Sequence, residues 1–577
     1  MGPARDRLLR RNIVDGVSVE KVWLKSYPPG VPAEIDPGRY SSLKELIEEA
    51  CERHATQPAF SNFGRTISYG QLEAMSRAFG AWLQKEARLR RGDRIALMMP
   101  NILQYPVALY GALRAGLTVV NTNPLYTHRE LEHQLKDSGA KAIVVFANAA
   151  HVLQECLADT DIECVIVTGI GDLLGFPKGP IVNFTLRTVR KQVKPYVLPD
   201  AHSFAEVLEQ GKWVDLDDVP LSLEDVAFLQ YTGGTTGVAK GATLTHRNMV
   251  ANTLQADAWL QQYSAERHRP QTVLGALPFY HIFALTSIAL LWMREGGHTI
   301  LITNPRDMKS FVRDLKKYRC TVYYGVNTLY NGLLHTAGFE EVDFSGLLTC
   351  VAGGMALQQA VAERWKERTG CTLSQGWGLT ETSPIATTNP RNIEFNNSIG
   401  LPMPSTEISI VDDQGQPLGL GAVGEICVRG PQVMRGYWNR PDETQKVMLE
   451  GGWLRTGDLG RMDEAGFVYI EDRKKDMILV SGFNVYPNEV EGVLAKHPGV
   501  LEVAAVSQPD EHSGEVVSVF VVRKDPALTA EVLIEFSRGE LTGYKVPRHV
   551  YFRTELPKTN VGKILRRALR DELVKKP

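Results

Sequence analysis

Residues 231–242 read Tyr-Thr-Gly-Gly-Thr-Thr-Gly-Val-Ala-Lys-Gly-Ala, and they follow the apolar run 226–230, which predicts a buried strand. The glycines of this stretch allow the backbone to approach a ligand closely and to adopt positive φ. Threonine hydroxyls, backbone N–H groups and Lys240 are suited to the oxygens and the charge of a polyphosphate. The stretch is not a P-loop, because the chain has no Gly-x-x-x-x-Gly-Lys-Ser/Thr sequence. A flexible turn between two strands is the alternative interpretation.

The overall composition is that of an ordinary globular protein. Its 577 residues are too many for one hydrophobic core and indicate three or four domains or subdomains. A net charge of -2 gives no indication of a nucleic-acid partner. The seven cysteines form no Cys-x-x-Cys pair, which favours buried thiols in a reducing compartment.

The apolar segments are too short to span a bilayer, and the basic start is not followed by the apolar region of a signal peptide. We therefore expect a cytoplasmic protein. Any membrane contact would be peripheral, on the inner face of the cytoplasmic membrane.

Alternating strand and helix patterns predict the fold. From about 40 to 170, β-branched runs such as 142–146 alternate with helical patterns, one of which begins at the capping box Thr127-His-Arg-Glu130. After a looser segment, 168–222, a second alternation runs to about 351. Strands separated by helices indicate parallel α/β sheets. Beyond about 400, short strands and turns indicate a small distorted barrel, and the last hundred residues indicate a small α+β domain.

The predicted fold class is therefore α/β. A large N-terminal domain would contain two parallel α/β subdomains and a small distorted β-barrel, and a small mobile α+β C-terminal domain would follow. The expected boundaries are a basic lead-in at 1–20, the N-terminal domain at 21–471 with its β-rich subdomain at about 400–471, and the C-terminal domain at 472–577.

Two further stretches carry side chains suited to a nucleotide. Residues 375–382 read Gln-Gly-Trp-Gly-Leu-Thr-Glu-Thr, in which Glu381 offers a hard oxygen ligand for Mg²⁺, Thr380 a hydroxyl and Trp377 a flat face for a purine. The run Trp453-Leu-Arg-Thr-Gly-Asp458 ends in a carboxylate that could accept both hydroxyls of a ribose. Each stretch taken alone also fits an ordinary turn.

The fourth stretch lies near the end of the chain, where residues 556–567 read Leu-Pro-Lys-Thr-Asn-Val-Gly-Lys-Ile-Leu-Arg-Arg. Apolar positions from 564 onward predict a helix, so Lys563 would lie just before or at the helix start. A solvated basic face is the alternative interpretation of the arginines.

Together, in this order and at these separations, the four stretches resemble the adenylate-forming superfamily of acyl-CoA synthetases, luciferases and peptide-synthetase adenylation domains. The resemblance runs from about residue 21 to about 574, and within the superfamily it is strongest to the bacterial long-chain fatty-acyl-CoA synthetases. The supporting runs are Met99-Pro-Asn-Ile-Leu-Gln-Tyr-Pro-Val-Ala-Leu, Pro278-Phe-Tyr-His-Ile-Phe-Ala-Leu, Ile302-Thr-Asn-Pro-Arg-Asp and the segment 472–489.

The resemblance implies a two-step reaction with ATP, Mg²⁺ and the co-substrate coenzyme A. A fatty carboxylate would attack the α-phosphate of ATP to give acyl-AMP and pyrophosphate. The thiol of coenzyme A would then attack the acyl carbonyl and release AMP. The first step brings an anion against a polyanion, so cations directed at the developing charge should dominate catalysis.

The resemblance also assigns roles to individual residues. Lys563 would be the adenylation lysine, Glu381 and Thr232 would bind the metal, and Asp458 with Arg473 would bind the ribose. The implied catalytic residues are Lys563, Glu381, Thr380 and His281. The implied binding residues for nucleotide and coenzyme A are Tyr231, Thr232, Gly233, Gly234, Thr235, Thr236, Gly237, Lys240, Gly353, Gly354, Gln375, Gly376, Trp377, Thr380, Asp458, Arg473, Ser481, Gly482 and Phe483. Trp377 stands where the family usually has tyrosine, so stacking survives but the tyrosine hydroxyl is lost.

Three further expectations concern domain movement, the acyl-binding tunnel and the oligomeric state. The family's domain rotation implies a hinge at Asp472, which would exchange Lys563 for the Ser481–Phe483 loop at a pantetheine channel. Segments 279–292 and 322–334 are the candidate walls of an apolar tunnel for the fatty tail. We also consider a homodimer, although no residue pattern identifies its interface.

Alternative functions remain open at this point. A fatty-acyl-AMP ligase, or another adenylate-forming enzyme that acts on a different carboxylate, would share the same motifs. A non-catalytic sensor of nucleotides or acyl groups is the alternative from another class, but such a protein would not need Lys563. The expected partners are thus a fatty acid, ATP and coenzyme A, with no nucleic acid.

Overall fold

The computed structural model describes residues 20–232, 239–263, 266, 269–391, 393–510, 512–559 and 562–574. Short 3₁₀ and π turns connect several of the elements named below. Up to residue 232, the helices and strands are α1 (Leu43–Arg53), β1 (Pro58–Asn62), β2 (Arg65–Ser68), α2 (Tyr69–Lys85), β3 (Arg94–Met98), α3 (Gln104–Arg114), β4 (Thr118–Asn121), α4 (His128–Ser138), β5 (Ala142–Phe146), α5 (Ala150–Cys156), β6 (Cys164–Thr168), α6 (Lys178–Phe184), β7 (His202–Ser203), α7 (Phe204–Gly211) and β8 (Val226–Thr232).

From residue 239 to residue 402, the elements are β9 (Lys240–Thr245), α8 (His246–Leu260), β10 (Thr272–Gly275), α9 (Ile282–Ala284), α10 (Leu291–Arg294), β11 (His298–Leu301), α11 (Met308–Tyr318), β12 (Val322–Gly325), α12 (Asn327–Leu334), β13 (Thr349–Ala352), α13 (Gln359–Thr369), β14 (Leu373–Gly378), β15 (Ile385–Thr388) and β16 (Leu401–Pro402). A π turn, Leu285–Leu290, joins α9 to α10.

The remaining elements are β17 (Glu407–Val411), β18 (Gly424–Arg429), β19 (Gly436–Tyr437), α14 (Pro441–Val447), β20 (Met448–Leu449), β21 (Trp453–Met462), β22 (Val468–Arg473), β23 (Ile478–Val480), β24 (Phe483–Val485), α15 (Pro487–Leu494), β25 (Val500–Asp510), β26 (Gly514–Arg523), α16 (Ala530–Glu540), β27 (His549–Arg553) and α17 (Arg566–Val574).

Two large, mainly parallel sheets form the first part of the molecule. The strand order is β19-β9-β8-β4-β3-β5-β6-β7 in one sheet and β16-β15-β14-β13-β12-β10-β11-β1-β2 in the other. Strands β8 through β6 are parallel in the first sheet, as are β14 through β1 in the second. One buried hydrophobic cluster includes side chains from both sheets, so the two sheets share a core.

Local sequence signals explain why these elements begin and end where they do. At α4 the Thr127 hydroxyl accepts the Glu130 N–H, and a Glu130 carboxylate oxygen accepts the Thr127 N–H at 2.8 Å. Gly139 then ends the helix with φ of 59°. The predicted capping box is therefore confirmed, and it satisfies N–H groups that the first turn of a helix leaves free.

The β-rich part is a five-stranded antiparallel sheet. Its strand order is β17-β18-β21-β20, and β22 pairs with β21 on the other side. Residues 400–473 are all described, and within them the pairings form an open path rather than a closed ring. The predicted distorted barrel thus corresponds to an open sheet, because its edge strands do not pair with each other.

The C-terminal part has its own sheet, with the order β24-β23-β26-β25 and with β27 parallel to β26. Helices α15 and α16 contribute Val490, Leu494 and Leu533 to a hydrophobic cluster that is separate from the main core. The helix predicted from residue 564 begins at Arg566 instead, because Ile564 is engaged in a β-bridge with Lys558. The fold thus has a large N-terminal body and a small C-terminal α+β body.

None of the helices in the described ranges combines the length and apolarity needed to cross a bilayer. All seven cysteines have free thiols, and only Cys371 is not fully buried. The prediction of buried thiols is therefore essentially confirmed.

Candidate active site

A cavity of about 1210 Å³ lies where both large sheets meet the C-terminal body. It opens at the carboxyl ends of β8, β13 and β14, which is the edge where parallel α/β sheets bind ligands. Fourteen of the predicted site residues line it together: Tyr231, Thr232, Lys240, His281, Gly353, Gly354, Gln375, Gly376, Trp377, Thr380, Glu381, Asp458, Arg473 and Lys563. Residues Gly233, Gly234, Thr235, Thr236 and Gly237 lie outside the described residues.

Lys563 reaches this cavity from the C-terminal body. The carbonyl of Gly562, which has φ of 85°, accepts a hydrogen bond from the Thr328 hydroxyl at 3.1 Å. The Lys563 N–H donates to the Thr559 hydroxyl at 3.1 Å. A methyl group on Gly354 would lie 3.2 Å from Lys563 Cε, so this glycine makes room for the lysine.

The charge of Lys563 is tuned by its surroundings. Burial and the nearby Arg473 together lower the pKa of Lys563 to about 8, while Asp458 and Glu381 oppose the shift. A cation in such a poorly hydrated position interacts strongly with any anion that enters.

Glu381 follows β14 and is held by a residue that the sequence did not single out. The Tyr437 hydroxyl donates to Glu381 Oε1 at 2.7 Å, and the Glu381 carbonyl accepts the Met434 N–H at 2.8 Å. Tyr437 lies on β19, which pairs with β9 after the glycine-rich stretch. Since this contact joins positions 56 residues apart, no local pattern signals it.

Lys240, at the start of β9, has a different environment. It forms an ion pair with Glu443 of α14, and its ammonium lies 5.3 Å from the centre of the Tyr437 ring. Hydrogen bonds from Lys240 and Lys446 lower the pKa of Glu443 to about 2. Lys240 is therefore paired in this structure, whereas Lys563 faces the cavity.

Asp458 is almost fully buried in β21, and both of its oxygens are engaged. The Trp377 indole N–H donates to Asp458 Oδ2 at 2.9 Å, and Arg473 Nε lies 3.2 Å from Oδ1. The indole thus supplies a donor where we expected the tyrosine hydroxyl of the family to be lost. Gly353 lies nearby, where a methyl group would contact the Phe283 ring and the Gly376 carbonyl at 3.1 Å.

His281 faces the cavity at the start of α9. Its Nδ1 accepts the Phe283 N–H at 3.3 Å, so the neutral ring carries its proton on Nε2. Burial, together with the nearby Lys563 charge, lowers the pKa of His281 to about 3. His281 is thus a neutral hydrogen-bonding group in the physiological pH range.

Residues from both predicted tunnel segments and from helix α8 also line the cavity. The predicted segments contribute Tyr280, Ile282, Phe283, Ser287, Leu291, Tyr324, Asn327, Thr328 and Asn331. Helix α8 adds Ala256, Trp259 and Leu260, and Tyr263 follows it; the sequence analysis missed all four. These residues have the composition of ordinary core, so only their position in the fold identifies them.

The predicted coenzyme A loop lies elsewhere, and the predicted hinge residue Asp472 borders the cavity. Ser481 and Gly482 have φ of 50° and 85°, and Phe483 stacks on Tyr544 with ring centres 4.8 Å apart. All three are outside the cavity lining, on the C-terminal body. Asp472 is fully buried: its backbone pairs with Leu459 of β21, while its carboxylate accepts the Asn488 N–H at 2.8 Å. It thus joins the β-rich sheet to the C-terminal body.

Family models match most of the chain. A model described as AMP-binding enzyme matches residues 47–438, and one described as AMP-binding enzyme C-terminal domain matches residues 489–563. The chain therefore belongs to the AMP-binding enzyme family, and the predicted resemblance to the adenylate-forming superfamily is confirmed.

Similar proteins cover nearly the whole chain. A long-chain-fatty-acid–CoA ligase of Salmonella typhimurium is 56% identical over 556 residues, which are 96% of this chain and 98% of that protein. A long-chain-fatty-acid–CoA ligase of Bacillus subtilis is 38% identical over 563 residues, with coverage of 96% and 98%.

Solved structures share the fold. The crystal structure of ATP-bound MatB from Rhodopseudomonas palustris matches with a TM-score of 0.78 and 27% identity, covering 92% of this chain and 99% of that one. The anthranilate CoA ligase AuaEII in complex with anthranoyl-AMP matches with a TM-score of 0.83 and 24% identity, covering 94% and 99%. The predicted α/β fold class, with parallel sheets in a large N-terminal domain and a small C-terminal domain, is confirmed.

Proposed function

We propose that this protein is an ATP-dependent long-chain fatty acid–CoA ligase that works through an acyl-AMP intermediate and releases AMP and pyrophosphate. Curated relatives at 56% identity carry that name, and the AMP-binding family supports the adenylate chemistry. The observation that carries the proposal is the position of Lys563, whose side chain reaches a cavity lined by Glu381 and Asp458 and by apolar side chains such as Trp259 and Leu291.

The catalytic problem is to bring a fatty carboxylate against the α-phosphate of ATP. We assign Lys563 to bridge these two anions, because its poorly hydrated ammonium reaches the cavity past Gly354. We assign Lys240 and the 231–237 stretch to the β- and γ-phosphates. His281, neutral and with its N–H on Nε2, would donate a hydrogen bond to the acyl carboxylate.

The nucleoside part would use the groups around β14 and β21. Asp458, oriented by Trp377 and Arg473, would accept the ribose hydroxyls. Gly353, Gly354, Gln375 and Gly376 would line the adenine with backbone, and the Trp377 ring would stack on it. A side chain on Gly353 would collide with Phe283, which supports a tight backbone wall.

The donor set of the cavity fits Mg²⁺. Among the described residues no group of three or more His, Cys, Asp or Glu side chains could hold a metal ion by itself. One carboxylate, Glu381, with the Thr232 and Thr380 hydroxyls nearby, suits a metal that takes its other ligands from phosphates and water. Bound there, Mg²⁺ would neutralise phosphate charge, while Tyr437 keeps the Glu381 carboxylate oriented.

Coenzyme A would enter after a rearrangement. We assign residues 21–471 to an N-terminal domain, with its β-rich part at 400–471, and residues 472–577 to a C-terminal domain that rotates about Asp472. The Ser481–Phe483 loop is not part of the cavity lining in this structure, so we assign the rotation to bring it to the pantetheine channel.

A thioester assay with ATP and coenzyme A tests the proposal across fatty acids from short to very long. We expect acyl-CoA and AMP in equal amounts, with the highest kcat/KM for long chains, because each buried methylene contributes roughly 0.8 kcal/mol of binding. Acyl-AMP without coenzyme A-dependent AMP release would instead identify a fatty-acyl-AMP ligase. No product with any acid would refute enzyme activity of this kind.

Peripheral contact with the inner face of the cytoplasmic membrane, and homodimer formation, are also part of the proposal. Long-chain acids partition into bilayers, so an enzyme that consumes them benefits from a membrane contact. Gel filtration with light scattering of the full chain would test the dimer.

A further inference from the structure

An unusual surface follows β6 at one end of the eight-stranded sheet. Residues 173–199 contain five basic residues and no acidic residue: Lys178, Arg187, Arg190, Lys191 and Lys194. Large apolar side chains in the same segment are exposed: Phe176 by 92%, Ile181 by 59%, Phe184 by 62%, Val189 by 67% and Val197 by 71%. Exposed apolar groups at this density mark interaction sites on soluble proteins.

The segment is fixed to the body of the protein by its other side. Gly171 N–H donates to Asn183 Oδ1 at 2.8 Å, and Asn183 Nδ2 donates to Asp172 at 2.7 Å. Gly171 and Gly179 lie so close that a methyl group on either would collide with the carbonyl of the other. Helix α6 and the following π turn, Thr185–Val189, therefore turn their outer face to solvent while their inner face is held.

A second segment extends this surface. The turn between β1 and β2 exposes Phe63, and Lys178 donates to the Phe63 carbonyl. Both Lys178 and Lys317 have their ammonium groups within 4 Å of a methyl position on Gly64. We call residues 173–199 together with Phe63, Arg65 and Lys317 the basic-apolar face.

The basic-apolar face lies at the same edge of both sheets as the cavity. Residues 173–199 come after the carboxyl end of β6, which is parallel through β5, β3 and β4 to β8, whose carboxyl end lines the cavity. Phe63 follows the carboxyl end of β1, which is parallel through β11, β10 and β12 to β13. The face and the acyl-binding cavity thus share one side of the N-terminal body.

We propose that the basic-apolar face docks this protein on an anionic lipid bilayer. A helical segment of this kind exposes aromatic and aliphatic side chains that can insert at the acyl boundary of a bilayer. The flanking Lys and Arg side chains can pair with negatively charged headgroups. The chain as a whole carries a net charge of -2, so this concentration of positive charge is local. The purpose of docking, uptake of a long-chain acid, rests on the proposed function, but the binding itself does not.

Sedimentation of the full chain with lipid vesicles tests the proposal. One set contains phosphatidylcholine alone and the other contains phosphatidylcholine with phosphatidylglycerol. We expect binding to the anionic vesicles and weakening by salt, because screening shortens the range of the attraction. Each basic side chain near an anionic surface strengthens binding roughly fivefold, so the variant Arg187→Gln/Arg190→Gln/Lys191→Gln should bind roughly a hundredfold more weakly.

Matched controls distinguish an effect of the basic-apolar face from a general effect of total charge or of exposed apolar side chains. The variant Lys136→Gln/Lys366→Gln/Arg538→Gln removes the same charge from exposed positions on α4, α13 and α16 and should bind like the parent chain. Phe176→Ser/Phe184→Ser should weaken binding, whereas Leu420→Ser/Val532→Ser, also at exposed positions, should not.

Three outcomes would overturn the proposal. These are no binding to anionic vesicles at low salt, equal binding by the charge-removed and parent chains, or equal loss in the matched controls. The first of them would leave an acidic protein as the occupant of the face. Thioester formation with acid supplied from solution should be unchanged in all of these variants. A chain that binds vesicles but forms no acyl-CoA would refute the proposed function and leave this inference standing.

Discussion

Lys563 and Lys240 both border the same cavity, but their surroundings differ, and the proposed function assigns them different roles. Lys240 has a carboxylate partner in Glu443, whereas Lys563 meets Asp458 and Glu381 only at a distance and is poorly hydrated. Lys563→Ala should therefore lower ATP–pyrophosphate exchange by roughly a hundredfold to a thousandfold, as loss of one preorganised electrostatic contact does. Lys240→Ala should instead raise the KM for ATP roughly tenfold, as loss of a charged hydrogen bond does. The opposite pattern would exchange the two roles.

The pKa of Lys563 predicts how adenylation depends on pH. The ammonium is the active form, and with a pKa of about 8 it is present below that pH and lost as pH rises through it. The kcat/KM for adenylation, which reports on the free enzyme, should thus fall roughly tenfold per pH unit above about pH 8. Lys563→Arg, whose guanidinium stays charged, should be slower but should show no such fall. An unchanged fall in that variant would assign the titration to another group.

Tyr437 contacts the Glu381 carboxylate directly, so we expect it to orient the proposed metal ligand. Because its hydroxyl holds one oxygen of that carboxylate, Tyr437→Phe should raise the Mg²⁺ concentration for half-maximal adenylation roughly tenfold. Tyr551→Phe removes a comparable hydroxyl, bonded to Gln508 at 3.1 Å in the C-terminal body, and should leave the Mg²⁺ dependence unchanged. If both variants shifted it equally, Tyr437 would have no specific link to the metal site.

At the scale of elements, a turn presents Lys563, the proposed adenylation lysine. Gly562 has φ of 85°, and a methyl group there would lie 2.9 Å from the Thr328 hydroxyl. Gly562→Ala should therefore displace Lys563 and lower pyrophosphate exchange at least roughly tenfold, since the left-handed conformation alone costs other residues about 1–2 kcal/mol.

Gly514 offers the control, because it has φ of 75° but no neighbour within 4 Å of a methyl position. Gly514→Ala carries the same backbone penalty in the C-terminal body and should leave exchange near that of the parent chain. Equal losses in the two variants would mean that general destabilisation, not the position of Lys563, limits the reaction.

The elements differ in how far the sequence predicts them. Strands such as β5 and the capped helix α4 are predictable because their signals, β-branched residues and a reciprocal cap, lie within a few neighbouring positions. The start of α17 was misplaced, since a bridge between Lys558 and Ile564 overrides the apolar spacing. The sequence also did not predict that the β-rich sheet is open, because pairing of edge strands depends on distant segments.

The candidate site shows the same division. Motif residues such as Glu381 and Asp458 could be chosen from the sequence because each stretch belongs to a recognisable set. Tyr437 and the wall contributed by α8 could not, because their roles depend on contacts between distant segments. The sequence did not predict the basic-apolar face either, since residues 168–222 indicate only a loose connection. The exposure of one side of α6 is visible only in the structure.

At the scale of the whole molecule, the proposed function implies two arrangements of the C-terminal body, one for each half-reaction. In this structure Lys563 is at the cavity and the Ser481–Phe483 loop is away from it, which suits adenylation. Besides the turn at Gly562, Asn331 Nδ2 of α12 donates to the Leu501 carbonyl of β25 at 3.4 Å, so these positions touch across the two bodies. A disulfide between Asn331→Cys and Leu501→Cys should therefore hold the body in place.

Under oxidation, the double variant should keep ATP–pyrophosphate exchange while thioester formation drops to background, and reduction should restore it. Six of the seven native thiols are buried, and the single variant Asn331→Cys, oxidised in the same way, controls for side reactions. Rotation is the physical reason, because one rigid arrangement cannot offer both Lys563 and the loop to the same acyl carbon. Full thioester formation by the locked chain would show that coenzyme A reaches the adenylate without rotation, and Asp472 would then be a fixed joint rather than a hinge.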